Sequence, residues 1–215
     1  MSRLPDSHAD ADPSHGWDDI ADQFRTQRSA IGAATVRAWC RGLPARARVL
    51  DLGCGTGIPI TATLLEAGCT VCGVDASPRM IAAFQRRFPD VPVRCETAES
   101  SSFFGQMYEG VVAIGLLFLL PPHIQLTVIH RVAAALLPGG RFLFTVPVHA
   151  WAWTDVLSGR ESVALGDEAY RAEFTEAGLA LVAEYVDEGE NHYYDTVRTA
   201  LGALKTPAGG SGHGG

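Results

Sequence analysis

A short apolar stretch, VLDLGCGTGIPI at residues 49–60, constrains the fold more than any other part of the chain. Its glycines, Gly53, Gly55 and Gly57, stand at alternate positions between two apolar runs. Glycine lets the backbone turn sharply and approach a ligand closely, and several α/β folds bind nucleotides at a glycine-rich turn between a strand and a helix. The stretch therefore predicts a strand, a ligand-binding turn and a helix.

Apolar strand patterns alternate with helical patterns on both sides of this turn. A helix over 123–140 separates the last two of five predicted strands, which occupy residues 47–53, 70–75, 91–96, 108–117 and 141–149. Apolar strands that alternate with helices predict a parallel sheet with helices on both faces, a three-layer Rossmann-like α/β fold. Residues 179–201 then contain two strand patterns joined by DEGEN, which predicts a C-terminal antiparallel hairpin.

The length and charge of the chain limit its organisation and its partners. The 215 residues predict one domain over 17–204, between flexible tails at 1–16 and 205–215, the second of them rich in glycine. The formal net charge of −7 argues against a nucleic-acid partner, because phosphate binding needs a surplus of Lys and Arg. No apolar run reaches the roughly 18 residues that span a bilayer, and residues 1–16 lack the apolar core of a secretory signal. A cytoplasmic protein that binds neither membrane nor nucleic acid is expected.

The five cysteines predict neither a disulfide framework nor a metal site. Cys69 and Cys72 form a CxxC, but they belong to the strand pattern CTVCGVD, in which positions i and i+3 point to opposite faces. The sequence contains no second pair and no nearby histidine that would complete a zinc site. Reduced thiols and no bound metal are therefore expected.

The spacing of the glycines separates two kinds of nucleotide site. A dinucleotide fingerprint is GxGxxG, whose third glycine lets the helix pack closely on the strand. Here the motif is GxGxG, and Ile58 stands where a dinucleotide site has its third glycine. Asp75 ends the second predicted strand, where a carboxylate can accept hydrogen bonds from both hydroxyls of a ribose. That acid suits either kind of site, so only the glycine spacing argues against a dinucleotide.

Four motifs taken together resemble those of the class I S-adenosylmethionine-dependent methyltransferases, and in particular the bacterial enzymes that methylate small molecules. The motifs are VLDLGCGTG, VCGVDASPRM, ETAESSSFF and YEGVVAIGLLFLLP, and the resemblance covers residues 17–200. It implies a seven-stranded sheet whose last strand is antiparallel, with S-adenosylmethionine as cofactor and S-adenosylhomocysteine as product. It also implies that helical segments within residues 17–44 form an N-terminal lid.

The same resemblance implies which residues contact the cofactor. This chain has Thr97 where the family often has an aspartate. The expected contacts are Arg28 in the lid, Asp51, Gly53, Cys54, Gly55 and Gly57 around the methionine part, Asp75 at the ribose, Ala76 and Met80 beside the adenine, Ala98 and Glu99 over its edge, and Ile114 and Gly115 under the sulfonium.

The acceptor is expected near the loops after the fourth and fifth strands and near the DEGEN turn, because ligands of open α/β sheets lie beyond the carboxyl ends of the parallel strands. The loop LFLLPP lacks the Asn/Asp-Pro-Pro-aromatic motif associated with methylation of exocyclic amines of bases or of glutamine. His192 and His149 are candidate bases for an acceptor whose proton has a high pKa. The candidate acceptor contacts are Trp17, Phe24, Phe118, Trp151, Trp153, Asn191 and Tyr193.

The leading hypothesis is a monomeric or homodimeric enzyme that transfers the methyl group of S-adenosylmethionine to an oxygen, nitrogen or sulfur atom of a small molecule by in-line displacement. A protein or RNA methyltransferase is the alternative with the same cofactor. A NAD-dependent dehydrogenase is disfavoured by the GxGxG spacing, and a non-catalytic cofactor-binding module is the fourth hypothesis. Class I methyltransferases share the donor site and differ in the lid and loops, so the sequence leaves the acceptor open.

Overall fold

Strands and helices alternate in the structure as the sequence predicts. The computed structural model describes residue 14, residues 17–21 and residues 30–200. Its helices are α1 Ala33–Cys40, α2 Ile60–Glu66, α3 Pro78–Arg87, α4 Pro122–Ala135 and α5 Asp167–Glu176. Its strands are β1 Arg48–Leu52, β2 Thr70–Asp75, β3 Val93–Cys95, β4 Tyr108–Ala113, β5 Leu136–Thr145, β6 Trp151–Thr154, β7 Glu161–Ala164, β8 Leu179–Val186 and β9 His192–Arg198. None of these helices is long and apolar enough to cross a membrane.

Seven of the described strands form one sheet in the order β3-β2-β1-β4-β5-β9-β8. The first five pair in parallel, whereas β9 is antiparallel to both of its neighbours, β5 and β8. The prediction of a Rossmann-like sheet that ends in an antiparallel hairpin is therefore confirmed. The strand order reverses between β1 and β4, and in such sheets the ligand crevice lies at the carboxyl ends of the strands beside that reversal.

The helix predicted over 123–140 ends earlier than expected, at Ala135. Leu136 is fully buried and already extended, and it pairs with Tyr108 at the start of β5. The ladder then shifts register before Gly110 pairs with Arg141. Burial of Leu136 and pairing with β4 thus outweigh the helical pattern, and the PGG sequence lies within an irregular strand rather than at a helix end.

The helix α1 packs on the sheet, although the sequence analysis included it in a lid over residues 17–44. Val36 and Trp39 are buried against one face of the sheet. A Cβ atom at Gly110 would lie 2.7 Å from the Trp39 ring, so the glycine makes room for this contact. Among the described residues, only 14 and 17–21 remain as candidates for covering the cofactor site.

A second, two-stranded sheet, β6–β7, replaces the loop expected after the fifth strand. We call residues 151–164 the hairpin. The side chain of Gln125, which is fully buried on α4, donates hydrogen bonds to the carbonyls of Leu120 (2.9 Å) and Val163 (2.8 Å). One amide group thereby fixes the hairpin to the segment that follows β4, at the carboxyl edge of the sheet.

Candidate active site

A cavity of about 230 Å³ opens at the carboxyl ends of β1, β2 and β4, where the strand order reverses. Nine of the predicted cofactor residues lie in its wall: Gly53, Gly55, Asp75, Ala76, Met80, Ala98, Glu99, Ile114 and Gly115. Two of the predicted acceptor residues, Trp17 and Phe118, line it as well. The structure thus brings together residues from all four sequence motifs and from the N-terminal segment.

The GxGxG turn curves over the end of β2 to form the floor of this cavity. The amides of Gly53 and Cys54 both donate to the Val74 carbonyl, at 2.8 and 3.1 Å. Gly53 has a φ of 73°, and a Cβ atom there would lie 3.1 Å from the Leu116 side chain. A larger residue would therefore be strained and would fill space beside the cavity, which explains the glycine.

Asp75 lies in the cavity wall at the end of β2 and holds two loops together. Its Oδ2 accepts the amide hydrogen of Gly55 at 2.8 Å, and its Oδ1 accepts that of Ser77 at 2.9 Å. Ser77 in turn caps α3 by accepting the Met80 amide at 3.1 Å, with Pro78 in the first turn. The Asp75 carboxylate thereby holds the GxGxG turn and the start of α3 beside the same cavity.

Three predicted cofactor residues do not line the cavity. Asp51 is buried and its Oδ2 accepts the Thr61 hydroxyl at 2.6 Å. Cys54 packs in a small apolar cluster beside α3, and burial raises the pKa of its thiol. A Cβ atom at Gly57 would meet the Phe88 ring at 2.5 Å. The side chains of Asp51 and Cys54 make contacts within the protein. Either residue would therefore contact a cofactor through its backbone or through a bridging group.

Two further carboxylates in the cavity wall have buried oxygens without a hydrogen-bond partner in the described part of the chain. They are Oε2 of Glu96 and Oε2 of Glu99. Buried acceptors are almost always paired in native proteins, so an unpaired oxygen on a residue that lines a cavity is a candidate partner for a donor group of a ligand. Glu96 was not selected from the sequence, although it opens the ETAES motif.

The cavity wall is acidic. Asp75, Glu96, Glu99 and Asp155 all line it, and the described lining contains no Lys, Arg or His. Asp155 follows β6 in the hairpin, and its Oδ1 accepts hydrogen bonds from the Leu157 amide (3.0 Å) and the Ser158 amide (2.7 Å). Asp155 is not among the residues predicted from the sequence, because only tertiary structure brings the hairpin to the end of β4.

Aromatic rings form a row that leads from the surface to the cavity. The Trp151 ring, which is 57% exposed, stacks on Trp153 with centroids 5.0 Å apart. Trp153 lies 5.6 Å from Phe118, which lines the cavity. Trp17, Leu119 and Leu120 separate this cavity from a second one of about 170 Å³, since they line both.

The two candidate bases do not lie in the cavity wall. His149 is exposed, before the hairpin. His192 begins β9, where its Nε2 lies 2.9 Å from Oε2 of Glu184 and its ring packs against Tyr194. Both positions are at the correct edge of the sheet but beside β5 and β9 rather than beside β1 and β4.

Asn191 and Tyr193 stabilise the DEGEN turn instead of lining the cavity. The Asn191 amide and the Tyr193 hydroxyl both donate to the Asp187 carboxylate, at 3.0 and 2.7 Å. Burial opposes ionisation of Asp187, but these hydrogen bonds outweigh it and lower the pKa of the carboxyl. A Cβ atom at Gly189 would meet the Ile31 side chain at 2.9 Å, so the segment before α1 covers the turn.

The N-terminal segment reaches the cavity through residues 14 and 17–21. Asp18 Oδ1 accepts the Ser77 hydroxyl at 2.6 Å and the Arg79 amide at 2.9 Å, which fixes the segment to the start of α3. Trp17 consequently lies in the cavity wall. The other two lid residues named from the sequence, Phe24 and Arg28, lie outside the described residues.

Comparison with known proteins agrees with this architecture. The model of a family described as a methyltransferase domain matches residues 49–140, which run from β1 into β5. Residues 49–140 thus match a methyltransferase domain, as the four motifs predict. The matched segment includes the GxGxG turn, Asp75, and both Glu96 and Glu99. No curated protein sequence matches the chain.

Solved structures with the same fold include several methyltransferases. The 1,6-didemethyltoxoflavin-N1-methyltransferase of Burkholderia thailandensis, solved with its substrate and S-adenosylhomocysteine, has a TM-score of 0.70 and 20% identity over 93% of each chain. The CcbJ methyltransferase of Streptomyces caelestis has a TM-score of 0.67 and 20% identity, covering 88% of this chain and 100% of that one. An amino pentose methyltransferase of Micromonospora echinaspora, solved with bound S-adenosylmethionine, has a TM-score of 0.64 and 19% identity, covering 84% and 96%. These likenesses support the class I fold.

Proposed function

We propose that this protein binds S-adenosylmethionine and transfers its methyl group to a small-molecule acceptor. The observation that carries the proposal is the cavity at the carboxyl ends of β1, β2 and β4, where Asp75 and the GxGxG turn line the same space. Two of the solved neighbours are named for small acceptors, a toxoflavin precursor and an amino pentose, and both were solved with S-adenosylmethionine or its product.

The residues in the cavity wall fit the donor groups of this cofactor. Asp75 lies in the cavity wall at the end of β2, where a carboxylate suits the two ribose hydroxyls, and the unpaired Oε2 of Glu99 suits the exocyclic amino group of adenine. The backbone at Gly53 and Gly55 lies along the methionine part, and Met80 packs beside the adenine.

The bound cofactor supplies a methyl group already activated by its sulfonium, so the protein has to align the acceptor and exclude water. Leu116, Leu119 and Leu120 make the wall near the end of β4 apolar. Trp17 and Phe118 add aromatic surface on the same side, and the hairpin stands beside them. We assign this side of the cavity to the acceptor and the β2 side to the nucleoside.

Binding of three ligands to the full-length protein tests the donor assignment. We expect calorimetry to detect binding of S-adenosylmethionine and S-adenosylhomocysteine and none of NAD. Incubation with the methyl-labelled cofactor and a panel of thiols, phenols, amines and carboxylic acids then tests transfer, with release of S-adenosylhomocysteine as the readout. Binding of NAD without binding of S-adenosylhomocysteine would refute the proposed function.

A further inference from the structure

The acceptor side of the cavity combines aromatic surface with negative charge, and this combination selects the acceptor. We propose that the methyl acceptor is an uncharged amine nitrogen carried on a flat aromatic or heteroaromatic ring. The proposal rests on the proposed function, since it concerns the second substrate of the same site. It is carried by Phe118, Trp153 and Asp155.

The ring requirement follows from how Phe118 is held. Its ring lines the cavity, Trp153 lies 5.6 Å behind it, and Trp151 stacks on Trp153 with an interplanar angle of 24°. The hairpin that carries both tryptophans is fixed by the buried side chain of Gln125. A ring that is supported in this way presents a fixed aromatic surface, and offset stacking favours a flat partner over an aliphatic one of equal size.

The amine requirement follows from charge. Besides the two carboxylates assigned to the cofactor, Glu96 and Asp155 line the cavity wall, and no basic side chain does so in the described part of the chain. A carboxylate acceptor would enter this wall as an anion, and a thiol or phenol acceptor would have to become one as it loses its proton. Like charges in a partly desolvated site repel strongly. An aromatic amine is uncharged at neutral pH, and its N–H groups are donors that carboxylates can accept.

Methyl transfer to an amine also gains from this charge during the reaction. The nitrogen lone pair forms the new bond to the methyl carbon as the carbon–sulfur bond breaks, and the electron pair of that bond stays on sulfur. Positive charge moves from sulfur to nitrogen, and the nitrogen then loses its proton to the Asp155 carboxylate or to water. Fixed carboxylates stabilise positive charge at both positions, whereas transfer to an anion would remove the positive charge they stabilise.

Three probes test the proposal on the full-length protein. Aminonaphthalene is a flat aromatic amine that is uncharged at neutral pH, and naphthol replaces the amine by a hydroxyl. Aminodecalin replaces the flat rings by saturated ones and is an ammonium cation at neutral pH, so it departs from both the ring requirement and the requirement for an uncharged amine. Calorimetry with the S-adenosylhomocysteine complex reports binding, and transfer of labelled methyl reports turnover. We expect kcat/KM for aminonaphthalene to exceed that for either relative by at least about tenfold.

Equal or faster methylation of naphthol would overturn the amine requirement, and equal use of aminodecalin would overturn the ring requirement. Failure of all three probes to bind while S-adenosylhomocysteine does bind would overturn the proposal but leave the proposed function standing. Failure of S-adenosylhomocysteine itself to bind would remove both, so the two failures are distinguishable.

Variants in the hairpin separate charge from structure. Asp155→Asn retains Oδ1, the atom that accepts the Leu157 and Ser158 amides, and removes only the charge. We expect it to lower kcat/KM for aminonaphthalene roughly tenfold and not to lower any residual activity on naphthol. Phe118→Leu should raise the KM for aminonaphthalene and leave the affinity for S-adenosylhomocysteine within about twofold. Val156→Ser, at a side chain 95% exposed in the same hairpin, is the matched control and should change neither.

Discussion

Replacing Asp75 with alanine removes the carboxylate that joins the GxGxG turn to the start of α3 and, under the proposed function, holds the ribose. A hydrogen bond to a charged group contributes about 1.5–3 kcal/mol, so the loss of two bonds to ribose hydroxyls costs about 3–6 kcal/mol of binding free energy. The expected rise in the Kd of S-adenosylhomocysteine is therefore at least about a hundredfold.

The same substitution has a separate cost in stability. The amides of Gly55 and Ser77 lose their acceptor, and a buried or half-buried donor without a partner costs about 1–3 kcal/mol. Asp75→Asn keeps one oxygen that can accept one of these amides, so it should cost less stability and weaken binding by a smaller factor. Comparison of Asp75→Ala with Asp75→Asn separates the loss of folding stability from the loss of contacts with the ligand.

Isothermal calorimetry measures the change in affinity, and urea unfolding without ligand measures the change in the free energy of unfolding. Asp90→Ala is the matched control, because Asp90 is an exposed acid in the turn after α3 and does not line the cavity. A folded Asp75→Ala protein that binds S-adenosylhomocysteine as tightly as the unchanged protein would refute the ribose assignment. Equal weakening by Asp90→Ala would show that the effect is nonspecific.

Three further predictions concern other polar groups. Glu99→Gln should raise the Kd of S-adenosylhomocysteine roughly tenfold in calorimetry, because a charge-assisted hydrogen bond to the cofactor becomes a neutral one. His149→Ala and His192→Ala should both leave kcat within about twofold in the labelled-methyl assay, since neither residue lines the cavity. Asp195→Ala should lower the free energy of unfolding in urea by about 3–5 kcal/mol, because Asp195 is fully buried and its loss leaves the Arg141 guanidinium without its carboxylate partner.

Each of these expectations has a contradicting result. Unchanged affinity in Glu99→Gln would show that its unpaired oxygen does not meet the cofactor. A large loss of kcat in either histidine variant, with the fold intact, would show that this histidine takes part in the reaction. Unfolding of Asp195→Ala at the same urea concentration as the unchanged protein would show that the buried ion pair contributes no net stability.

The main strands and their parallel arrangement were predictable because the spacing of apolar residues along the chain shows which residues are buried. Strands β1, β2 and β4 are apolar on both faces, and Gly53 to Gly57 mark the turn between β1 and α2. The end of α4 was not predictable from the same signal, since Leu136 fits a helix pattern and a strand pattern equally well. Pairing with Tyr108 decides its conformation, and that pairing is a long-range contact.

The side of the cavity that we assign to the cofactor was predictable because it is built from short motifs. Asp75 and the glycines belong to segments in which backbone conformation sets the site, and such constraints leave a local sequence signature. The side that we assign to the acceptor is assembled from Trp17, Phe118 and Asp155, which are far apart in the sequence. The alternation in WAWT was a signal for β6, but no local pattern indicated that this strand would stand beside the end of β4.

The charge of the cavity also limits what the acceptor nitrogen can carry. Carboxylates that stabilise positive charge on nitrogen in the transition state would hold a permanently cationic product in the same place, and tight binding of product slows its release. A methylated amine that still bears a proton can lose it and leave uncharged, whereas a quaternary product cannot. Under the proposed chemistry, the acceptor is therefore a primary or secondary amine. The Asp155 carboxylate stabilises the positive charge that forms on nitrogen, and it then accepts the proton whose loss neutralises that charge.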